Sequence, residues 1–192
     1  MKITKSIAVS FILLVLIASL YRVMPGRPLG FAPQIAMALF GGSVITDRKM
    51  SFLLPLLSML ISDVIYEILF QNRLSAIPGF YNGQWINYLL FAAITVIGFF
   101  IKKENVLSVL SGAIAGATSF FILSNFADWI GGGLDINSMP YPKTFTGLES
   151  CFVAGIPFYR GSLFATLIFS TVLFGGYYLI NKYWVKKSIV VA

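Results

Sequence analysis

The sequence predicts an all-α integral membrane protein with six transmembrane helices. Of its 192 residues, 58% are hydrophobic and only 11% are charged, a composition far outside the range of soluble globular proteins. The apolar residues also form six runs separated by polar or basic segments, as expected of a chain that crosses a bilayer repeatedly. A single transmembrane domain, residues 1–192, therefore accounts for the whole chain.

The apolar runs set the bounds of the predicted spans. They cover residues 5–22, 31–46, 51–70, 84–101, 106–130 and 161–181, with a long outer loop at 131–160. The first run is long enough to span the membrane only if the Lys5 side chain extends to the interface. The alternative to a first transmembrane helix is a cleaved signal peptide. The second run is short and contains Gly41-Gly42, so it predicts either a tilted helix or a re-entrant one. The outer loop is too aromatic to be disordered, which favours a functional role.

The charge pattern predicts the orientation in the membrane. The formal net charge is +7, and the basic residues gather in short clusters between apolar runs, where they orient helices rather than bind nucleic acid. Six spans place nine basic residues on the side of both termini and five on the other side. Because the first helix usually follows its leading lysines, Lys2 and Lys5, both termini are predicted to be cytoplasmic. A re-entrant second run gives the same count with the amino terminus outside.

Two acids lie inside the third run, which is otherwise apolar. Asp63 and Glu67 are four residues apart and therefore share one face of a helix. Asp63 lies roughly 20 Å along the helix from the basic turn at Arg48-Lys49, in the outer half of the bilayer. Ionisable groups at that depth usually face a bundle interior or a wet cavity. The two acids therefore predict a solute site. One alternative is that Asp63 forms an ion pair with Arg22, Arg27 or Arg160. The other is that the two acids bind a cation or relay protons.

Other polar and aromatic residues fall at the same outer level. With the two acids, they complete the candidate substrate-binding set: Arg27, Asp63, Tyr66, Glu67, Trp85, Asn87, Tyr88, Asn125, Asp128, Trp129 and Arg160. Aromatic walls with a few convergent polar groups are typical of small-molecule pockets. The alternative is that the aromatic residues form an interfacial belt and that the arginines contact lipid head groups.

Enzymatic functions have little support in the sequence. The chain contains no histidine and a single cysteine, Cys151, so it lacks the base of serine and cysteine triads and the commonest zinc ligand. It also lacks the Gly-x-x-x-x-Gly-Lys loop that binds nucleotide phosphates. We therefore predict that the protein is not an enzyme and needs neither a cofactor nor a metal.

Short motifs spread along the chain carry a resemblance to a known family. They are Arg27-Pro-Leu-Gly-Phe-Ala-Pro33, Ala36-Met-Ala-Leu-Phe-Gly-Gly42, Pro55-Leu-Leu57, Ser62-Asp63, Ser124-Asn125-Phe126, Tyr141-Pro142, Gly147-Leu148 and Ala154-Gly-Ile-Pro-Phe158. With these motifs the chain resembles a family of uncharacterised bacterial integral membrane proteins that are regarded as transport proteins. More distantly, it resembles the substrate-binding S components of energy-coupling factor (ECF) transporters.

The second resemblance implies a function. S components are six-helix proteins that capture vitamins or metal ions from outside, and they depend on a transmembrane coupling protein and two ATPases. It implies a pocket on the outer side and a small-residue motif on the first helix that docks the coupling protein. Here that motif is Ser6-Ile-Ala-Val-Ser10 instead of Ala-x-x-x-Ala. The expected function is a solute-binding subunit of an ATP-driven importer; the alternatives are an ion-coupled carrier or channel and a structural protein without ligand.

Overall fold

The computed structural model describes the backbone of residues 5–185 and the side chains of residues 11–183, and it is all-helical there apart from one isolated β-bridge. Six α-helices follow one another along the chain. They are α1 (Lys5–Val23), α2 (Gln34–Val44), α3 (Arg48–Gln71), α4 (Trp85–Gly98), α5 (Val106–Gly131) and α6 (Phe145–Ile180), and a π-helical turn, Asn181–Val185, extends the last one. The all-α class with six helices is confirmed.

The first five helices differ from the predicted segments by no more than three residues at either end. The predicted outer loop at 131–160 is wrong, because α6 begins at Phe145 and the connection is only 132–144. Gly155, one of the glycines that suggest a loop here, serves helix packing instead. A Cβ on Gly155 would overlap the side chain of Asn125 on α5. Small residues thus let α6 lie close against α5, and the Thr144 hydroxyl caps its first turn by accepting from Gly147 N.

Three helices are long and apolar enough to cross a membrane. They are α3, α5 and α6 with its π-helical extension, whose most apolar windows have mean hydropathies of 1.9, 2.0 and 1.8. The described part of α1 and the whole of α2 and α4 are apolar but shorter. Their length and apolar composition are those of membrane-spanning helices and support the prediction of a membrane protein.

Helix α2 is the centre of the bundle. It packs against α3, α4, α5 and α6, and eight of its eleven residues are buried. Its closest neighbour is α4, because Gly42 and Gly98 face each other with backbone against backbone. Eleven residues rise only about 16 Å, roughly half the thickness of the hydrocarbon core. Helix α2 alone is therefore too short to cross the bilayer, and the connection 24–33 completes the passage of the chain from one end of the bundle to the other.

The two ends of the bundle differ in chemistry. One end, here called the basic end, carries Arg48, Lys49, Lys102, Lys103 and Lys182. Three of these cations lie over aromatic rings: Arg48 is 4.0 Å from the ring centroid of Phe99, Lys103 is 5.2 Å from that of Tyr177, and Lys182 is 5.5 Å from that of Tyr183. The other end, here called the loop end, is formed by the connections 24–33, 72–84 and 132–144. The candidate site residues belong to the loop end.

Candidate functional site

Asp63 is the centre of a buried hydrogen-bond network at the loop end. Its side chain is only 2% exposed and forms an ion pair with Arg22 of α1. Its second oxygen accepts from Gln84 Nε2 at 2.5 Å and from the Tyr88 hydroxyl at 2.6 Å. Arg22 Nη1 also donates to the Ser62 hydroxyl at 2.5 Å. Both oxygens of this buried carboxylate are therefore satisfied, as a buried charge requires.

Tyr66 and Arg27 extend this network towards the first connection. The Tyr66 hydroxyl donates to the backbone carbonyl of Arg22 at 2.8 Å, and the Arg22 guanidinium lies 5.7 Å from the Tyr66 ring centroid. Arg27 donates to the same carbonyl at 3.2 Å and to the Phe31 carbonyl at 2.8 Å. The end of α1 and the connection 24–33 are thus fixed to α3 by side chains.

Glu67 holds the connection 72–84 in place. Its carboxylate accepts from the backbone N–H groups of Gly79 and Phe80 at 3.1 and 3.3 Å, and from Gln71 Nε2 at 3.0 Å. Gly79 lies directly on the backbone of α3, where a Cβ would overlap the Asp63 carbonyl and the Glu67 N–H. Gln84 joins the Gly79 carbonyl, at 2.8 Å, to Asp63. The connection therefore covers Asp63.

We expect Glu67→Gln to loosen this cover without unfolding the protein. Replacing the Glu67 carboxylate by a neutral side-chain amide removes the negative charge that strengthens its hydrogen bonds from two backbone N–H groups. Amide hydrogen exchange at residues 77 and 79–81 should rise at least about tenfold. Glu149→Gln, which alters an exposed acid on α6, is the matched control. Unchanged exchange in Glu67→Gln would show that the carboxylate does not hold the segment.

Tyr81 joins the connection 72–84 to the start of α4. Its hydroxyl accepts from Asn87 Nδ2 at 2.7 Å. Burial raises the pKa of the Tyr81 phenol; the nearby Arg22 guanidinium lowers it, and the carboxylates of Asp63 and Asp128 raise it. The phenol thus lies within electrostatic reach of acids on two helices and stays protonated at neutral pH. Asn87, Asp63 and Asp128 belong to one end of the bundle, as the sequence predicts.

A second cluster joins α5 to α6 at the same end. The buried Cys151 thiol donates to the Asn125 carbonyl at 3.4 Å and lies 3.8 Å from an oxygen of Asp128. Asp128 is otherwise exposed, and Gly133 packs closely against its carboxylate. A thiol beside a carboxylate is poorly suited to nucleophilic chemistry, because the thiolate would be repelled.

Trp129 and Lys143 close the end of α5. The indole N–H of Trp129 donates to the Pro142 carbonyl at 2.8 Å. Lys143 Nζ donates to the Trp129 carbonyl and, at 3.0 Å, to that of Ile130. It thereby satisfies carbonyls in the last turn of α5, where a cation is favoured by the helix dipole. Trp129 is therefore a packing residue of the connection 132–144 as well as a candidate contact for solute.

Trp85 and Arg160 are not joined to either cluster. The Trp85 side chain is 64% exposed, and Arg160 is exposed on α6 with no hydrogen-bond partner among the residues that the structure describes. The predicted docking residues Ser6 and Ser10 lie outside the described side chains. Across residues 11–183, no three acidic or cysteine side chains come close enough to hold a metal ion.

The most important residue that sequence reasoning misses is Gln84. It bonds to Asp63 and to Gly79, yet it precedes α4 in a polar stretch that gives no signal for it. Arg22 is foreseen only as one of three possible ion-pair partners, and the structure selects it. Both contacts join residues more than twenty positions apart in the chain, so helical periodicity does not reveal them.

Comparison with curated proteins gives no significant match, and comparison with solved structures gives none either. The resemblance to S components of ECF transporters finds no support in these comparisons. A protein family described as "Family of unknown function (DUF6580)" matches residues 2–188, which is nearly the whole chain. The chain therefore belongs to this family of unknown function, DUF6580.

Proposed function

We propose that the protein is a membrane-embedded subunit that binds a small solute at its loop end and delivers it to an ATP-driven importer. The observation that carries this proposal is the convergence of polar and aromatic side chains from several helices around the Asp63 network. Polar groups held rigidly among aromatic rings give a solute both orientation and contact area. On this proposal the loop end faces outward in a bacterial inner membrane.

The charge distribution supports this orientation. Of the 14 basic residues in the sequence, nine belong to the termini and to the turns at the basic end, and the other five, Arg22, Arg27, Arg73, Lys143 and Arg160, belong to the loop end. Basic residues concentrate on the cytoplasmic side of membrane proteins. The basic end is therefore proposed to be cytoplasmic, together with both termini.

Energy for import is proposed to come from partners. The chain has no phosphate-binding loop of the Gly-x-x-x-x-Gly-Lys type, so ATP hydrolysis would be supplied by separate ATPase subunits through a transmembrane coupling protein. This division of labour is the one that the sequence resemblance to S components implies. An ion-coupled carrier based on Asp63 and Glu67 is less well supported, since both carboxylates already accept several hydrogen bonds from the protein.

Native mass spectrometry on the protein purified gently from its own membranes tests this function. We expect a retained small molecule together with a coupling protein and ATPase subunits. A solute without partners would contradict the importer but keep solute binding. Partners without a solute would contradict solute binding. The absence of both would overturn the proposal and favour a structural protein.

A pair of aromatic variants tests where the solute binds. Trp85→Ala at the loop end should weaken solute binding by about 1 kcal/mol or more if the indole stacks on the solute. Phe100→Ala is the matched control, because this ring is 80% exposed at the opposite end of α4. Equal affinities of the two variants, measured by competition with the retained solute, would place the site away from Trp85.

A further inference from the structure

The cations of the basic end have no carboxylate partners in the part of the chain that the structure describes. The one ion pair found there joins Arg22 to Asp63, at the opposite end of the bundle. The basic end has five described cations against two acids, Asp47 and Glu104. Asp47 already serves as the N-cap of α3, where its carboxylate accepts from two backbone N–H groups at 2.9 and 3.3 Å. The basic end therefore keeps an excess of positive charge.

Arg48 is positioned by an aromatic ring rather than by an acid. Its guanidinium carbon lies 4.0 Å from the ring centroid of Phe99, and Phe99 packs edge-on against Phe52 with 5.7 Å between the two centroids. The Arg48 side chain is exposed, and none of the described residues accepts a hydrogen bond from it. A guanidinium carries five N–H donors in a planar fork that fits a phosphate group. Stacking thus orients an exposed fork that is available to a phosphate.

Helix stability does not account for the cations at the start of α3. Arg48 and Lys49 occupy the first turn of this helix, which contains no acid. The amino end of a helix carries partial positive charge, so cations are disfavoured there. A negative group bound from outside would offset the repulsion between these two side chains and the helix end.

Lys102 lies near Arg48 on the connection 99–105, between α4 and α5. The connection is fixed to α5, because the backbone N–H of Lys102 donates to the Ser108 hydroxyl at 2.9 Å. Three residues separate Lys102 from Phe99, the ring beneath Arg48, which is at most about 11 Å of chain. The Lys102 side chain is exposed and donates no hydrogen bond to the described residues. Two long cationic side chains can therefore contact the same phosphate.

Apolar side chains are exposed beside these cations. Val106 and Leu107 begin α5 and are 74% and 75% exposed. Helix α5 is long and apolar enough to cross a membrane. In a bilayer that it crosses, its start lies at the surface, where lipid phosphates and acyl chains meet. Cations next to exposed apolar residues fit a phospholipid, whereas free phosphate or a nucleic acid would need only the cations.

We propose that the basic end binds an anionic phospholipid, with its phosphate between Arg48 and Lys102 and an acyl chain on Val106 and Leu107. A zwitterionic phospholipid is less favoured, because its ammonium group would add positive charge where there is already an excess. The inference does not depend on the solute site at the loop end. It concerns the recognition of the surrounding membrane by the protein.

Native mass spectrometry with defined lipids tests the proposal. The delipidated protein in detergent is offered equal amounts of phosphatidylglycerol and phosphatidylcholine with identical acyl chains. We expect a one-lipid complex in which phosphatidylglycerol exceeds phosphatidylcholine at least about tenfold, because two cations contact its phosphate. Soluble glycerol phosphate at the same concentration should not displace the lipid, since it has no acyl chains. Equal retention of the two lipids would overturn the inference, and so would displacement by glycerol phosphate.

Single variants locate the site. Arg48→Gln and Lys102→Gln should each lower the ratio of bound phosphatidylglycerol to phosphatidylcholine about fivefold, the usual effect of one basic residue at an anionic lipid surface. Arg73→Gln, which removes an exposed arginine from the loop end, is the matched control and should keep the wild-type ratio. Both lipids are counted on the same folded protein, so partial unfolding of a variant does not change the ratio. A wild-type ratio in either variant would overturn the inference, and Lys102→Gln decides alone if Arg48→Gln does not fold.

Discussion

The Asp63→Leu variant is expected to lose about 3 kcal/mol of folding free energy. Removing one partner of a buried ion pair typically costs about 3–5 kcal/mol, because the other charge is left without compensation. The lower end of this range applies here, since the Arg22 side chain is 22% exposed and keeps some contact with solvent. The variant also leaves Gln84 and the Tyr88 hydroxyl without their acceptor. Unfolding by denaturant in mild detergent measures the loss.

Two further variants identify the cause. The double variant Arg22→Met/Asp63→Leu should recover a large part of the loss, because apolar residues of similar size often replace a buried pair at little cost. Glu149→Leu, which removes an exposed acid from α6, should stay within about 0.5 kcal/mol of the wild type. If Asp63→Leu were as stable as Glu149→Leu, the network would not stabilise the fold, and Asp63 would be free to act as a binding group.

The second large effect is expected at the crossing of α2 and α4. Gly42→Ala should cost about 3 kcal/mol, at the upper end of the range for overpacked cores. A Cβ at Gly42 would overlap the Thr95 carbonyl and lie 2.9 Å from the Cα atom of Gly98. These are backbone atoms, so no rotamer change relieves the contact, and the two helices must separate. The free energy of unfolding measured in the same detergent quantifies the effect.

The matched control is a helical glycine in open space. At Gly175 on α6, no atom outside the local helix lies within 4 Å of the position that a Cβ would take. Gly175→Ala should therefore gain about 0.5–1 kcal/mol from the lower conformational entropy of the unfolded chain. The same substitution thus has opposite signs at the two sites. A gain at Gly42 would mean that α2 and α4 do not pack as closely as described.

The sequence predicts the helices well because their signal is local. Runs of apolar residues and basic turns give the bounds of the first five helices within three residues. The start of α6 is missed because glycine and Pro157 suggest a loop when the neighbouring helix is unknown. In the structure Gly155 packs against Asn125 of α5 and Gly147 packs against Pro142, and Pro157 lies inside α6. Tertiary packing therefore outweighs local propensity at this point.

The candidate site is predictable only in part. The four-residue spacing of Asp63 and Glu67 correctly predicts that both lie on one face of the same helix. Their hydrogen-bond partners lie elsewhere in the chain and differ between the two acids, so the spacing does not predict them. Asp63 pairs with α1 and α4, whereas Glu67 holds the connection 72–84.

The central position of α2 has a consequence for biosynthesis. This helix is surrounded by α3, α4, α5 and α6, all of which leave the ribosome after it does. At about 16 Å it is too short to cross the bilayer by itself, and its unpaired N–H groups make it a poor resident of lipid. A stable location for α2 exists only once the last helix has been synthesised. Truncation before α6 should therefore yield a chain that is targeted to the membrane but degraded there.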